Sequence, residues 1–542
     1  MRRCIVSALA AVLLLGCGGP NPSPVSAGEP PAARRCRDAW ADVPAPQRTY
    51  DFTNDTRRTS RGNEGYAAFA ERLPRRSCSK AWTVLIYIAA DNDDMPPYAY
   101  WHLNEMEAAF EDAGLSAAST LDADVVVQLD LKDPPGIRRL HLFRSPAVYS
   151  QEQAFGDRAP TDIHSPIVTY LEEETIPPGE SLARFLTWGA EAYPSDHYLV
   201  VVWGHGLGFR PAGLAGNTFM PGSLKGGIAF DHSQRSVIDT PGLGSALGSA
   251  ARASLGGRPF DIYASDACLM QSLEVTSELT SAARYLVGSE QIEDYLGFPY
   301  RRLLPQLNGT GAEPPAAQAC VGRDVACRVA HLLPALQREA FLPGGLYAHA
   351  TPQAAETFTL SALDAGALVG ALYPSMGQLS AALTEYVRED PLRGADLEVL
   401  LGVDRGGSAP GHGMPGFLGG SRDVGVFLSG LRGLVQREFV RGPRGMTPAA
   451  ARLSAAIEAA SASLRRTVIA RSFGARYDGA RHAGMAGVSV WLPHDADEFE
   501  RRIDFFASSR FYAATGNGAN SWRGWLDEVF APPDPAPEAG AR

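Results

Sequence analysis

The sequence predicts an α/β fold: a mainly parallel β-sheet flanked by helices, with an additional helix-rich portion toward the C-terminus. Two observations carry this expectation. Continuously apolar, β-rich runs recur from Trp82 onward, such as Thr83-Val84-Leu85-Ile86-Tyr87-Ile88-Ala89 and His197-Tyr198-Leu199-Val200-Val201-Val202-Trp203. Runs without alternation belong to strands buried on both faces. Segments with helical spacing separate them, and strands alternating with helices imply parallel pairing through right-handed crossovers.

Taken in order, the first run is followed by a helix over Ala99 to Ala113, with Leu103, Met106 and Phe110 on one side. Asp124-Val125-Val126-Val127-Gln128-Leu129 and Leu140-His141-Leu142-Phe143 read as strands. A helix over Glu180 to Ala192 precedes the strand at 197–203, and one near Gly242 to Ala253 leads to Phe260-Asp261-Ile262-Tyr263-Ala264. Leu269 to Leu279 then reads as a helix and Tyr285-Leu286-Val287-Gly288 as a short strand. Beyond about residue 310 the chain is Ala-rich and helical, with strand-like returns at Phe358-Thr359-Leu360 and Gly487-Val488-Ser489-Val490-Trp491-Leu492. The Gly-rich stretch from Gly402 to Gly420 reads as a loop, and the residues from Pro532 as a disordered Pro/Ala tail.

The 542 residues, 45% hydrophobic and 20% charged, suffice for a large core. A net charge of −11 argues against a nucleic-acid binder, because neutralising phosphates needs a basic surface. Met1-Arg2-Arg3 followed by the apolar stretch Ile5 to Leu15 reads as a signal peptide. It is too short to cross a bilayer, which takes about 20 residues as a helix. The stretch ends in Leu14-Leu15-Gly16-Cys17, which resembles the bacterial lipobox, so cleavage before Cys17 and acylation of that residue are expected. The other reading is a plain signal cut after Gly19. Residues 18 to about 48, rich in Pro, Gly, Ala and Ser, read as a flexible tether.

Seven cysteines are present. With Cys4 in the signal and Cys17 at the lipid site, Cys36, Cys78, Cys268, Cys320 and Cys327 face an oxidising compartment. Cys320 with Cys327, and Cys36 with Cys78, can form disulfides, which leaves Cys268 as the odd thiol.

Two strands run into reactive residues. The run at 197–203 leads into Gly204-His205-Gly206, and that at 260–264 into Ser265-Asp266-Ala267-Cys268. Open parallel sheets bind ligands beyond the carboxyl ends of their strands, so both residues arrive at one edge. The glycines beside His205 permit a sharp turn and close substrate approach. If a helix begins just after Cys268, its N-terminal dipole favours the thiolate, and a nearby histidine can take the proton and return it to a leaving amine. Taken alone, Cys268 also reads as a small buried residue and His205 as a polar loop residue.

Several stretches together narrow the choice: Trp82 through Asn92, Asn104-Glu105-Met106-Glu107, Val202-Trp203-Gly204-His205-Gly206, and Gly226-Gly227-Ile228-Ala229-Phe230-Asp231. Asp266-Ala267-Cys268-Leu269-Met270 with Glu274 and Glu278, Gly288-Ser289-Glu290 and Gly297-Phe298-Pro299-Tyr300 complete the set, with weaker echoes at 360–364, 423–425 and 488–490. In this order they resemble the clostripain-like cysteine peptidases, family C11, which are relatives of caspases, legumains and gingipains. The resemblance spans roughly residues 80 to 525 and implies a caspase-like sheet. With the N-terminal and tail readings above, the chain divides into a signal at 1–16, a lipid-anchored linker at 17–80, a catalytic core at 81–310, a C-terminal part of the peptidase unit at 311–530, and a tail at 531–542.

Carried over residue by residue, the resemblance implies Cys268 as nucleophile and His205 as base, with the amide N–H groups of Gly206 and Cys268 as oxyanion donors. Asp266 matches an S1 acid of relatives that cleave after Arg or Lys; its alternative is a cap on the following helix. Many relatives carry a second acid just before the Gly-aromatic pair, where this chain has Leu296, with Glu293 and Asp294 slightly upstream. Relatives are also cut between the His and Cys segments. Here Gly208 to Gly227 reads as a loop with a single lysine, so Lys225-Gly226 is a candidate self-cleavage site beside the alternative of an uncut loop.

No organic cofactor is expected. Some relatives depend on calcium, and Asp91, Asp93 and Asp94 are acidic enough to suggest a site, although spacing alone does not make one. The expected partners are protein or peptide substrates, with no nucleic acid, and the membrane through the N-terminal lipid. The expected location is the bacterial cell envelope, at the outer membrane or cell surface. The competing reading is an inactive caspase-like lipoprotein that binds without catalysing. A metal-dependent hydrolase is disfavoured by scattered histidines and the lack of HExxH or paired CxxC spacing.

Overall fold

The computed structural model describes residues 34–36, 50–51, 78–108, 119–142 except 134, 162–163, 165, 167–171, 176–211, 225–308, 318–347 except 321, 351–402 except 391, 417, 420–441 and 446–530. The signal segment, Cys17, most of the linker, most of the Gly402–Gly420 stretch and the tail lie outside these residues.

The sheet grows outward from its most apolar strand. Strand β1, Cys78–Ala90, pairs in parallel with β2, Ala123–Leu131, on one side and β5, Ser195–Trp203, on the other. Beyond β5 lie β9, Phe260–Asp266, and β10, Ala283–Gly288, both parallel. The edges are antiparallel. On the β2 side are β3, Gly136–His141, and β4, Ile167–Leu171. On the β10 side are β11, Thr359–Asp364, and, after the short separate strand β12 at Ser421–Asp423, β13, Val468–Phe473, so chain beyond residue 310 extends the same sheet. The spatial order is β13-β11-β10-β9-β5-β1-β2-β3-β4.

Alternation along β1 builds two cores at once. Val84, Ile86 and Ile88 face the layer holding α1, Pro96–Glu107, and α5, Val325–Phe341. Leu85, Tyr87 and Ala89 face the layer of α2, Pro178–Ala192, and α3, Thr240–Ser254. All six are at most 5% exposed. Full burial of such side chains contributes about 1.5–3 kcal/mol each, which is why this strand is the spine. The second core continues without a break into the C-terminal helices α6, Tyr373–Glu389, α7, Val424–Arg441, and α8, Pro448–Thr467.

Several expectations need adjusting. The helix placed at Ala99–Ala113 starts at Pro96, since proline fits a first turn, and ends at Glu107. The segment Gly208–Gly227 is not wholly a loop: β6, Gly206–Pro211, and β7, Lys225–Asp231, pair antiparallel at its two ends, with residues 212–224 outside the described set. Strand β8, Ser236–Ile238, completes this small sheet. The helix expected from Leu269 begins only at Leu273, as α4, Leu273–Leu279, capped by Ser272. The disulfides stand as expected, Cys36 with Cys78 and Cys320 with Cys327, and Cys268 is a free thiol.

Candidate active site

Because β1 has β2 on one side and β5 on the other, the chain reverses its direction of travel across the sheet there. Strands β1, β5 and β9 lie side by side, and their carboxyl ends release Asp91–Asp94, Gly204–Gly206 and Ala267–Cys268 onto one edge. This is the switch point at which open α/β sheets bind ligands. A cleft of about 240 Å³ opens here, lined by His205, Gly206, Asp266 and Cys268, together with Glu293, Asp294 and Tyr295 from the loop after β10.

Gly206 is packed against the Cys268 backbone: a Cβ added to it would lie 2.3 Å from the Cys268 carbonyl oxygen and 3.1 Å from its nitrogen. Only glycine allows this approach. Leu269 follows in the left-handed region at φ 64°, a turn that carries the chain away from the strand direction before α4 starts. Cys268 therefore stands four residues before the cap Ser272, not at a helix N-terminus, and receives no help from a dipole. Its Sγ accepts the Glu293 N–H at 3.2 Å. Burial pushes the thiol up to about 12, with the charges of Glu293 and Asp266 adding to the rise and the Glu293 backbone hydrogen bond opposing it. The resting group is a protonated thiol, contrary to the thiolate expected from a helix terminus.

His205 Nε2 lies 3.0 Å from Asp94 Oδ1, and the other Asp94 oxygen accepts the Tyr295 hydroxyl at 2.9 Å. Hydrogen bonds from His205 and Tyr295 outweigh partial burial and hold the Asp94 carboxyl below its ordinary range. The imidazole sits between two aromatic edges, Phe230 and Tyr295, each with its ring centre 6.3 Å away.

Asp266 does not cap a helix, since Ser272 holds that position. Its carboxylate is 3% exposed and accepts the Tyr300 hydroxyl at 2.6 Å and the Phe298 N–H at 3.1 Å. Burial raises its pKa, against the opposing pull of His102 and these donors. Gly297, at φ 51°, comes so close that a Cβ there would lie 2.6 Å from an Asp266 oxygen. Leu296 is buried in an apolar cluster with Trp101, Ala340 and Tyr347. Glu293 takes a place beside Asp266 instead: burial and the Asp266 charge push its pKa well up, while the Ala267 N–H donates to it.

The three loop acids turn to separate partners rather than a shared point. Asp91 accepts from Ser233, Asp93 pairs with Lys132 and His232, and Asp94 holds His205. Among the described residues no group of three or more His, Cys, Asp or Glu side chains converges as a metal site. Lys225 begins β7, its backbone in register with Pro211. Cys17 lies outside the described residues.

With this geometry in place, a family match becomes informative. Residues 86–325 match the model of the Clostripain family, Peptidase C11. Over that segment the chain is similar to the clostripain-family peptidases. The peptidase is thereby a cysteine peptidase acting on peptides or proteins, and the matched span begins in β1 and contains His205, Cys268 and Asp266. No curated protein matches it. Among solved structures, a secreted C11 cysteine protease from Bacteroides thetaiotaomicron, bound to an irreversible peptide inhibitor, is 18% identical; the match covers 80% of this chain and 99% of that one with a TM-score of 0.48. An inactive zymogen C11 protease from Parabacteroides distasonis is 17% identical over 81% and 99%, with a TM-score of 0.47.

Asp94 and Glu293 were the residues whose part the sequence did not disclose. Asp94 follows a strand end, as His205 and Cys268 do, and that shared placement was the available signal.

Proposed function

We propose that the chain is an exported cysteine endopeptidase in which Cys268 and His205 hydrolyse peptide bonds after Arg or Lys. One observation carries the reading: the free thiol and the carboxylate-held imidazole issue from neighbouring strands into a single cleft. His205 takes the thiol proton as Sγ attacks the scissile carbonyl. The N–H groups of Gly206 and Cys268 receive the oxyanion, a contribution typically worth about 10²–10³ in rate per donor. His205 then protonates the leaving amine, and water activated by the same imidazole releases the thioester. Burial that raises the thiol favours proton transfer that accompanies attack over transfer that precedes it.

The basic P1 preference rests on Asp266 together with Glu293. Two buried carboxyls side by side resist joint ionisation, and a guanidinium or ammonium between them favours both charges. Glu293 thus supplies the acid that Leu296 does not. Export through the signal and acylation of Cys17 would hold the enzyme at the bacterial envelope. Cleavage at Lys225-Gly226, between the His and Cys segments, would accompany activation.

Detergent-solubilised full-length protein should cleave Arg- and Lys-P1 fluorogenic peptides and be labelled at Cys268 by an Arg acyloxymethyl ketone. Cys268→Ala should lose both, by a factor of about 10³ or more in rate. In the same samples, intact mass should reveal a break after Lys225 in the wild type only, and a lipid adduct that disappears in Cys17→Ser. A wild type that hydrolyses no peptide series and takes no label would instead favour the binding module.

A further inference from the structure

We infer that Asp94 is a positioning residue for the base, and that Tyr295 holds it in place; this rests on the function proposed for Cys268 and His205. The loop after β1 is built to fix Asp94. Asn92 Oδ1 accepts the Met95 N–H at 2.9 Å, and Pro96 opens α1 immediately afterwards, so the residue between them has little freedom. Asp94 then spans the switch point from β1 to the end of β5 and meets His205 Nε2 at 3.0 Å.

The chemistry follows from the acceptor. An ionised carboxylate can only accept, so Nε2 must carry the hydrogen, and the lone pair is left on Nδ1 to receive the thiol proton. When Nδ1 is protonated during attack, the same carboxylate faces the new imidazolium charge. The opposite tautomer would present a hydrogen to the thiol and could not act as base.

Tyr295 ties this arrangement to the nucleophile. Its hydroxyl donates to Asp94 Oδ2, its ring packs edge-on to His205, and Tyr98 of α1 stacks on it with centres 4.4 Å apart and planes within 11°. Two residues earlier in the same loop, the Glu293 N–H reaches Cys268 Sγ. One short loop therefore touches the nucleophile at one end and the base's partner at the other.

The test compares wild type, Asp94→Asn and Tyr295→Phe as full-length proteins. Asp94→Asn should lower kcat about 10- to 100-fold, the range for losing a charged hydrogen bond, with KM within about twofold. The Tm should be little changed, because the Asp94 side chain is 48% exposed. Tyr295→Phe should lower kcat by a smaller factor, about 2- to 10-fold. The rate of Cys268 alkylation by iodoacetamide should fall in the same order, since it too needs the base. A kcat within twofold of wild type in Asp94→Asn, or a loss confined to KM, overturns the inference. If the wild type cleaves nothing, the peptidase reading fails, while equal or unequal alkylation rates still decide the role of Asp94.

Discussion

The oxyanion donors proposed for this site depend on the absence of a side chain at Gly206, whose backbone presses on Cys268. Gly206→Ala would drive a methyl group into the Cys268 carbonyl and displace the amide proposed to receive the oxyanion. The expected result is a kcat about 10²-fold lower, as for removal of one donor, with acyloxymethyl ketone labelling slowed in parallel. Unchanged kinetics would show that Gly206 does not shape the hole. Residue identities at this scale were legible where a strand delivers them: His205 and Cys268 both follow apolar runs, and the glycines around His205 mark a turn. Glu293 was harder, because its place beside Asp266 depends on how the loop after β10 folds back, which no local spacing records.

The segment behind Cys268 is stabilised by the far end of the chain. Gln271 donates to Leu286 O and to Ser361, the Gln271 carbonyl accepts Ser489 N–H at 3.0 Å, and Glu274 accepts Trp491 N–H at 2.9 Å. Ser272 caps α4 by accepting from Val275. Ser272→Ala should therefore lower unfolding free energy by about 1 kcal/mol, measured by urea denaturation, without altering KM. A variant as stable as wild type would mean the cap is replaced. The parallel strands were readable because burial on both faces leaves an uninterrupted apolar run. The edge strand β13 was not, because its residues alternate between buried and half-exposed positions and include the exposed Arg471. The start of α4 was misplaced because Leu269 and Met270 extend the apolar pattern backward, although Leu269 is in the left-handed region and starts no helix.

Across the whole molecule, buried carboxyls are concentrated around the cleft and behind it. Burial pushes Glu105 up to about 8 and Glu274 up to about 7, and raises Glu290 well above its ordinary value with the neighbouring Asp423 charge adding to the effect. In the unfolded chain such groups ionise near about 4.3. Between that pH and the folded values the native state holds more protons, so stability is greatest in mild acid and declines as pH rises. Each such carboxyl contributes a slope of about 1.4 kcal/mol per pH unit within its own window. Urea midpoints should fall from pH 5 to pH 8, and Glu105→Gln should flatten the decline. A midpoint that rises over this range would contradict the assignment.

The Cys36–Cys78 disulfide has a consequence for how the enzyme meets its substrates. It fastens the N-terminal segment to the first residue of β1, and the Asp94 loop leaves the other end of that same 13-residue strand. At about 3.3 Å per residue the two ends are some 40 Å apart. A molecule moored through its N-terminus would thus be held from the end of β1 opposite the cleft, which leaves the cleft open to chains arriving from solution.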